Sequence, residues 1–305
     1  MVALPAGLPP ESYAIASAFA WAFSTLFINR GLSRMRTNGG DYDIFVGLTA
    51  SLLVGCAFLT AVAFGRFSFG QVSVALVLAG LFTFPLGTGL YYYTAEMYSD
   101  HAEIAAQFSK VKPIFSVFIA LLLGEALGAL TWAALALIAV GVGLLLWATV
   151  QSQFSLTTAV LGLVTALAWA IGEGFMAVGV EGTSSLLATY VAILTGSAVY
   201  LAVIVPLVAP RTDIRSSIGQ GWLLPFMGHG LLSFGVAYTL FFTSIAEIGL
   251  ARTALITAFW PMLALGIGFV RSTIAGGSVE EDIAFRYLFL AAAFLVAGSA
   301  IATIQ

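Results

Sequence analysis

Charge is what this sequence has least of. Lys and Arg number 11 and Asp and Glu 14 among 305 residues, so 8% of the chain is charged and the net charge is -3. A soluble domain carries about 25% charged residues. Too few polar groups are present here to cover a water-facing surface, which excludes a soluble globular fold. No basic tract occurs, and nucleic acid is therefore not expected as a partner. Cysteine occurs once, as Cys56 in an apolar run; an internal disulfide is impossible and a buried thiol is expected. The opening MVALPAGLPPES holds no Lys or Arg before the first apolar segment, so the first helix is expected to stay in the mature protein rather than be cleaved as a signal peptide.

What is there is apolar: 61% of the residues are hydrophobic and the mean hydropathy is +1.05. A helix needs about 20 mostly apolar residues to cross the hydrocarbon core of a bilayer. That length marks ten spans, 12–32, 43–64, 71–95, 102–123, 127–149, 156–179, 185–208, 220–245, 250–271 and 284–303. Polar breaks such as RGLSRMRTNGGDYD, APRTDIRSSIGQ and RSTIAGGSVEED separate them, leaving no room for a soluble domain.

The spans repeat. ASAFAWAFSTLFINRGL in the first echoes VTALAWAIGEGFMAVGV in the sixth, with Trp21 and Trp169 in matching places. The fourth and ninth align through Pro113 and Pro261, candidate kinks or hinges, and each is followed by a Gly-rich helix. The expected fold is all-α and integral to the membrane: ten transmembrane helices as two five-helix repeats, residues 1–150 and 151–305. Five is odd, so the second copy must enter the membrane inverted. Inverted repeats place substrate sites near the midplane.

The informative residues are the charges inside the spans. Residues 106–125 read AQFSKVKPIFSVFIALLLGE. With a fourth helix starting near Ala102, Lys110 and Lys112 lie about 12 and 15 Å along it. An ionised side chain at that depth costs about 2.5–3.5 kcal/mol unless it faces protein or water. The two point about 200° apart, so they do not face one cavity squarely. Lys112 shares a face with Ser109 and Ser116, while Lys110 lies with Glu103 and Gln107. Each is a candidate for binding an anionic group of a substrate; the alternative is that both pair with Glu96, Glu103 or Glu173 and only fasten helices. Pro113 releases a mid-helix carbonyl that protein or cavity water must satisfy. Glu173, between two glycines, is a candidate coupling residue: alone in an apolar setting it would carry a proton, beside a lysine it would stay ionised. Glu96 belongs to an interfacial cluster with Asp100, His101 and Glu103.

His229 is a candidate ligand contact or a packed histidine, and it has no second His or Cys to make a metal site. Tyr91, Thr94, Ala95 and Tyr98 form one helix face that could line a cavity, joined by Tyr238, Trp260, Trp21 and Trp169. GVG at 141–143 and GIG at 266–268 lie inside apolar helices, so close helix packing is expected of them rather than phosphate binding. No nucleophile elbow or zincin spacing is present, and no enzyme, metal or cofactor is expected.

The stretch from GLYYYTAEMYSDHAEIAAQFSKVKPIFSVFIALLLGE to the glycines of the fifth span resembles the EamA-type domain of the drug/metabolite transporter superfamily, with Gly124-Glu125 as the closing pair. The second copy matches through GLARTALITAFWPMLALGIGF and then departs, with Arg271 where the pattern closes on an acid. The resemblance implies ten helices, alternating access and a central cavity lined mainly by helices 1, 3, 4, 6, 8 and 9. It also implies termini in the cytoplasm. The arginines point the other way: Arg30, Arg34, Arg36, Arg211, Arg215, Arg271 and Arg286 follow odd-numbered spans against Arg66 and Arg252 on the opposite face, which puts both termini outside.

The function expected is a multi-pass secondary transporter of the cytoplasmic (inner) membrane, moving a small anionic or zwitterionic metabolite such as an amino acid. Its partners are the bilayer and a small-molecule substrate, with protons as a candidate coupling ion, and it is a monomer or weak dimer. Export of drugs or lipophilic compounds is the alternative within the superfamily. From other classes, an intramembrane enzyme would set His229 beside Glu173, and an assembly subunit would have both lysines fully paired.

Overall fold

The computed structural model describes residues 8–37, 44–63, 72–97, 106–152, 155–208, 221–264, 266–267 and 283–304. Among them there is no strand. The helices, in chain order, are α1 (Glu11–Thr37), α2 (Ile44–Ala63), α3 (74–97), α4 (106–122), α5 (Ala129–Ser152), α6 (Leu156–Gly179), α7 (185–208), α8 (Leu223–Ile248), α9 (Leu250–Ala264) and α10 (Ile283–Thr303). Six are long and apolar enough to cross a membrane by length and composition: α2, α3, α5, α6, α7 and α8. The apolar stretches of α9 and α10 are shorter, Leu250–Ala264 and Tyr287–Thr303.

Serines start several helices. Ser73, Ser155 and Ser184 stand in extended backbone and accept from the amides of Leu76, Thr158 and Leu187, satisfying donors that a helix start leaves free. Inside the helices, hydroxyls turn back on the chain: Ser17 donates to Ala14 O at 2.7 Å and Thr94 to Leu90 O at 2.7 Å. These hydroxyls thus stay satisfied without water, as a bilayer favours. The outer surface is apolar, with Leu122 85% exposed and Phe289 69% exposed. That surface and the long apolar helices make the chain an integral membrane protein.

Several helices are not regular. α3 runs through a π segment, Phe82–Thr88, around Pro85; α7 has one at Tyr200–Ile204 and α8 one at Gly230–Ala237. In α4 the backbone tightens into a 3₁₀ turn at Ser109–Val111, and an α-helix restarts at Lys112–Leu122 with Pro113 in its first turn. A proline there has no missing bond to explain, because first-turn amides have no intrahelical acceptor. The irregularity expected at Pro113 therefore takes the form of a 3₁₀ turn followed by a helix restart at the proline. In α9 the regular helix stops at Thr257 and resumes at 260–264, so Pro261 also stands just inside a restart.

The packing is pairwise. α5 lies along α10, α4 along α9, and α2 along α7; α1 packs on α8 and α9, and α6 on α3 and α4. Gly141 and Gly298 sit in the α5–α10 seam, where a Cβ would meet Ala291 O at 3.0 Å and Ala134 O at 2.9 Å respectively. Absent side chains there let backbones approach. Gly143 and Gly266 meet nothing within 4 Å, so the close-packing expectation for both Gly-x-Gly pairs holds at Gly141 and fails at these two; Gly268 lies outside the described residues.

Candidate functional site

Lys110 and Lys112 are the only lysines in the chain, and the break in α4 sends them to different neighbours. Lys112 opens the restarted helix and reaches across to α6, where its Nζ lies 2.5 Å from Glu173 Oε1. The second oxygen of that carboxylate accepts from Ser116 Oγ at 2.7 Å, and Ser116 sits one turn after Lys112 with its hydroxyl also 3.1 Å from Lys112 O. The pair is withdrawn from solvent: the side chains are 13% and 3% exposed. Glu173 is therefore held by a cation and a hydroxyl, and the lone-carboxyl alternative does not apply.

Aromatic rings from the other half of the chain and from α1 close over the ammonium. Lys112 Nζ is 4.9 Å from the Phe241 ring centroid and 5.7 Å from that of Trp21. Trp21 packs on Phe241 at 5.0 Å and edge-on to Tyr238 at 5.2 Å. Ring faces carry partial negative charge, so they stabilise a desolvated ammonium by about 0.5–2 kcal/mol each.

The cluster continues through polar contacts. Tyr238 pairs with the Thr88 hydroxyl, which also accepts from Trp169 Nε1 at 3.2 Å. Trp169 lies on Gly87, where a Cβ would collide with the indole, and packs at a tilt against Tyr91, with ring centroids 5.5 Å apart. Lys112, Glu173, Trp21, Tyr238, Trp169 and Tyr91 thus form one connected group spanning α1, α3, α4, α6 and α8.

Other candidates lie elsewhere. Lys110 Nζ stands 4.2 Å over the Trp260 ring of α9 and makes no ion pair among the described residues. Glu103, the expected partner of Lys110 in a polar network, lies outside the described residues, as do Tyr98, Asp100 and His101. Nothing is described of the Glu96 and Ala95 side chains, while Thr94 is fully buried on its own helix. His229 is 5% exposed, with Nδ1 3.4 Å from Ser24 O and its ring edge-on to Phe234. Its neighbours are Ser24 and Phe234, whereas Glu173 is bonded to Lys112 and Ser116, so the two are not set as an acid–base pair. Among the described residues no three His, Cys, Asp or Glu side chains converge as metal ligands.

Phe241 and Thr88 were not singled out in the sequence. With 24 Phe in the chain, one more on an apolar helix carries no signal. Thr88 gives no signal in the sequence either; only the structure shows that it ends the π segment around Pro85, and such segments recur at functional sites.

The sequence profile of the EamA-like transporter family matches residues 8–147 and 156–274. No curated protein matches the chain. The fold resembles that of a solved protein crystal structure, with a TM-score of 0.72 over 97% of this chain and 96% of the other, at 16% sequence identity.

Proposed function

We propose a mechanism for this membrane transporter, which belongs to the EamA-like transporter family: two inverted five-helix halves, residues 1–150 and 151–305, rock about a central site and move a zwitterionic or anionic metabolite such as an amino acid. An internal correspondence of 148 residues supports the two halves. It relates Trp21 to Trp169, Pro113 to Pro261, and the π segment Phe82–Thr88 to the one at Gly230–Ala237. The two stretches matched by the family profile begin at 8 and 156, the same interval apart. Helix contacts follow it too: α1 on α8 answers to α6 on α3, and α1 on α9 to α6 on α4. An odd number of helices per half makes the copies antiparallel, and all ten segments are then spans.

The observation that carries the substrate class is the Lys112–Glu173 pair, walled by Trp21 and Phe241. A zwitterion can part it without leaving a charge unpaired. Its anionic group takes Lys112, its cationic group takes Glu173, and the number of buried ion pairs rises while net charge stays zero. A lipophilic cation would leave Lys112 facing it without an anion, at a cost of several kcal/mol for the uncompensated buried charge. An anion alone would take Lys112 and leave Glu173 without its cation, which makes a zwitterion the better fit; protons are the coupling ion proposed for this mechanism. The aromatic walls favour a second reading, export of lipophilic compounds, in which the rings rather than the pair recognise the cargo.

Purified protein screened by thermal shift against amino acids, organic acids, sugar phosphates and cationic drugs tests this. A ligand of the folded state raises the melting temperature by mass action. Zwitterions or anions are expected to do so, to drive counterflow in liposomes, and to lose both effects in Lys112→Ala. Stabilisation by cationic drugs, retained in Lys112→Ala, would transfer the conclusion to the second reading.

A further inference from the structure

At one end of the molecule, four helix ends are held together by three charged side chains outside the central site. α4 ends in a turn at Gly124, whose φ of +88° suits only glycine. The next residue, Glu125, sends its carboxylate across to the start of α9, where Oε1 accepts from Leu250 N at 2.7 Å and Oε2 from Ala251 N at 3.0 Å. Gly249, with φ +83°, lets the carboxylate approach; a Cβ there would lie 3.0 Å from Glu125 Oε2. In the first turn of α9, Arg252 donates to Ala302 O at 2.9 Å and Thr303 O at 3.2 Å at the end of α10, and pairs with Glu11 of α1 at 2.7 Å. Each charge suits the helix end it meets: a carboxylate at an N-terminus, a guanidinium at a C-terminus.

Two of these ties cross between the halves, Glu125 to α9 and Arg252 to Glu11. We infer that Glu125, supported by Arg252 and Glu11, is the latch of the face that carries α1's start and α10's end, and that opening of this face requires its release. This inference rests on the alternating-access reading. Position links latch to site. α4 from Lys112 to Leu122 is an 11-residue helix, about 16 Å long, with the ion pair at one end and Glu125 just beyond the other. Moving α9 off Glu125 therefore moves it past the helix that holds Lys112, and Trp260 past Lys110.

The 148-residue correspondence does not reproduce the latch on the other face. In sequence it sets Thr273 against Glu125, Ile104 against Arg252 and Ala159 against Glu11, so none of the three charges recurs. The opposite face has a tie of different chemistry, Arg34 donating to Gly221 O at 3.0 Å. Among the described residues the ties of the two faces thus involve different side chains.

The test uses spin labels at Gly128→Cys and Glu181→Cys, in the turns after α4 and α6 on the latched face, in a Cys56→Ser background. Both positions are exposed, and a side chain at 128 meets nothing within 4 Å. Glu125→Gln should raise the ratio of long to short label distances by about tenfold, the worth of a charged helix cap. Amide exchange at Leu250 and Ala251 should accelerate, and half-saturation should change for substrate presented at one face only. Glu11→Gln should shift the distances in the same direction by less. Faster amide exchange with unchanged distances would overturn the latch and leave Glu125 a helix cap. Should Glu125→Gln not fold, unchanged distances in both Glu11→Gln and Arg252→Gln would overturn it as well. Wild-type flux separates this from the function: normal flux with unmoved distances sinks the latch alone, and absent flux with shifted distances sinks only the substrate assignment.

Discussion

Replacing Lys112 and Glu173 singly and together separates a transport site from a structural pin. At 2.5 Å, and at an effective dielectric of about 20, the two charges attract by about 7 kcal/mol. Desolvation of both ions offsets most of that, so a buried pair is close to neutral compared with well-packed uncharged residues. Loss of one partner is different: it strands the other charge among Trp21, Phe241 and Ser116, at about 3–5 kcal/mol. Lys112→Met and Glu173→Gln should each lower the melting temperature in detergent markedly. The double variant should recover to within about 1 kcal/mol of the wild type, since Ser116 can still bond the Gln amide. Counterflow of a zwitterion should behave otherwise, falling by about tenfold or more in all three variants, because no variant offers both charges to the substrate. A double variant that regains stability and flux together would refute the reasoning and reduce the pair to a helix fastener.

Other variants report on single contacts. Lys110→Met removes a cation from the Trp260 face, worth about 0.5–2 kcal/mol, and should weaken flux less than Lys112→Met in the same counterflow assay. Trp169→Phe loses the bond to Thr88 and should lower stability by about 1 kcal/mol; combined with Thr88→Val it should cost less than the sum of the two changes. Gly230→Ala would drive a Cβ into the Ser51 backbone and disturb the Ser51 hydroxyl that donates to Phe226 O at 2.6 Å, for a loss of about 1–3 kcal/mol. Gly143→Ala, with open space around it, should leave melting unchanged or raise it slightly.

Spans bounded by polar residues and a serine cap were legible to the residue: 156–179 was expected and α6 runs Leu156–Gly179, with Ser155 as its cap. α8 was expected at 220–245 and runs Leu223–Ile248; hydropathy does not say where an apolar stretch stops being helix, whereas Gly249 does. The breaks in α4 and α9 and the π segments were not legible, because hydropathy is blind to whether a carbonyl bonds four or five residues ahead. The lysines stood out because a charge in an apolar helix is costly, which is also why Glu173 could be named as a partner. Which of three acids Lys112 would choose depended on how α4 packs against α6, and a one-dimensional pattern holds no such contact. His229 was ambiguous for the same reason: its environment is made by Ser24 and Phe234, and a tertiary contact decides whether an imidazole is packed or free.

The 148-residue correspondence also bears on how a substrate would lie. Lys112 and Trp260 stand at equivalent places, each immediately before the proline of an interrupted helix. Glu173 answers to Thr25, whose hydroxyl is spent on Ala22 O at 2.6 Å. The repeated frame thus carries both central charges of the ion pair on α4 and α6, while the equivalent positions on α9 and α1 hold a ring and a self-bonded hydroxyl. An even distribution would place a charge at the equivalent position of each repeat. The uneven one gives a polar pole at Lys112, Glu173 and Ser116 and aromatic surface at Trp21, Tyr238 and Phe241. On the proposed reading, a molecule with its charged groups at one end and an apolar remainder is the cargo such a site would orient, and a substrate series varying only the apolar part tests it.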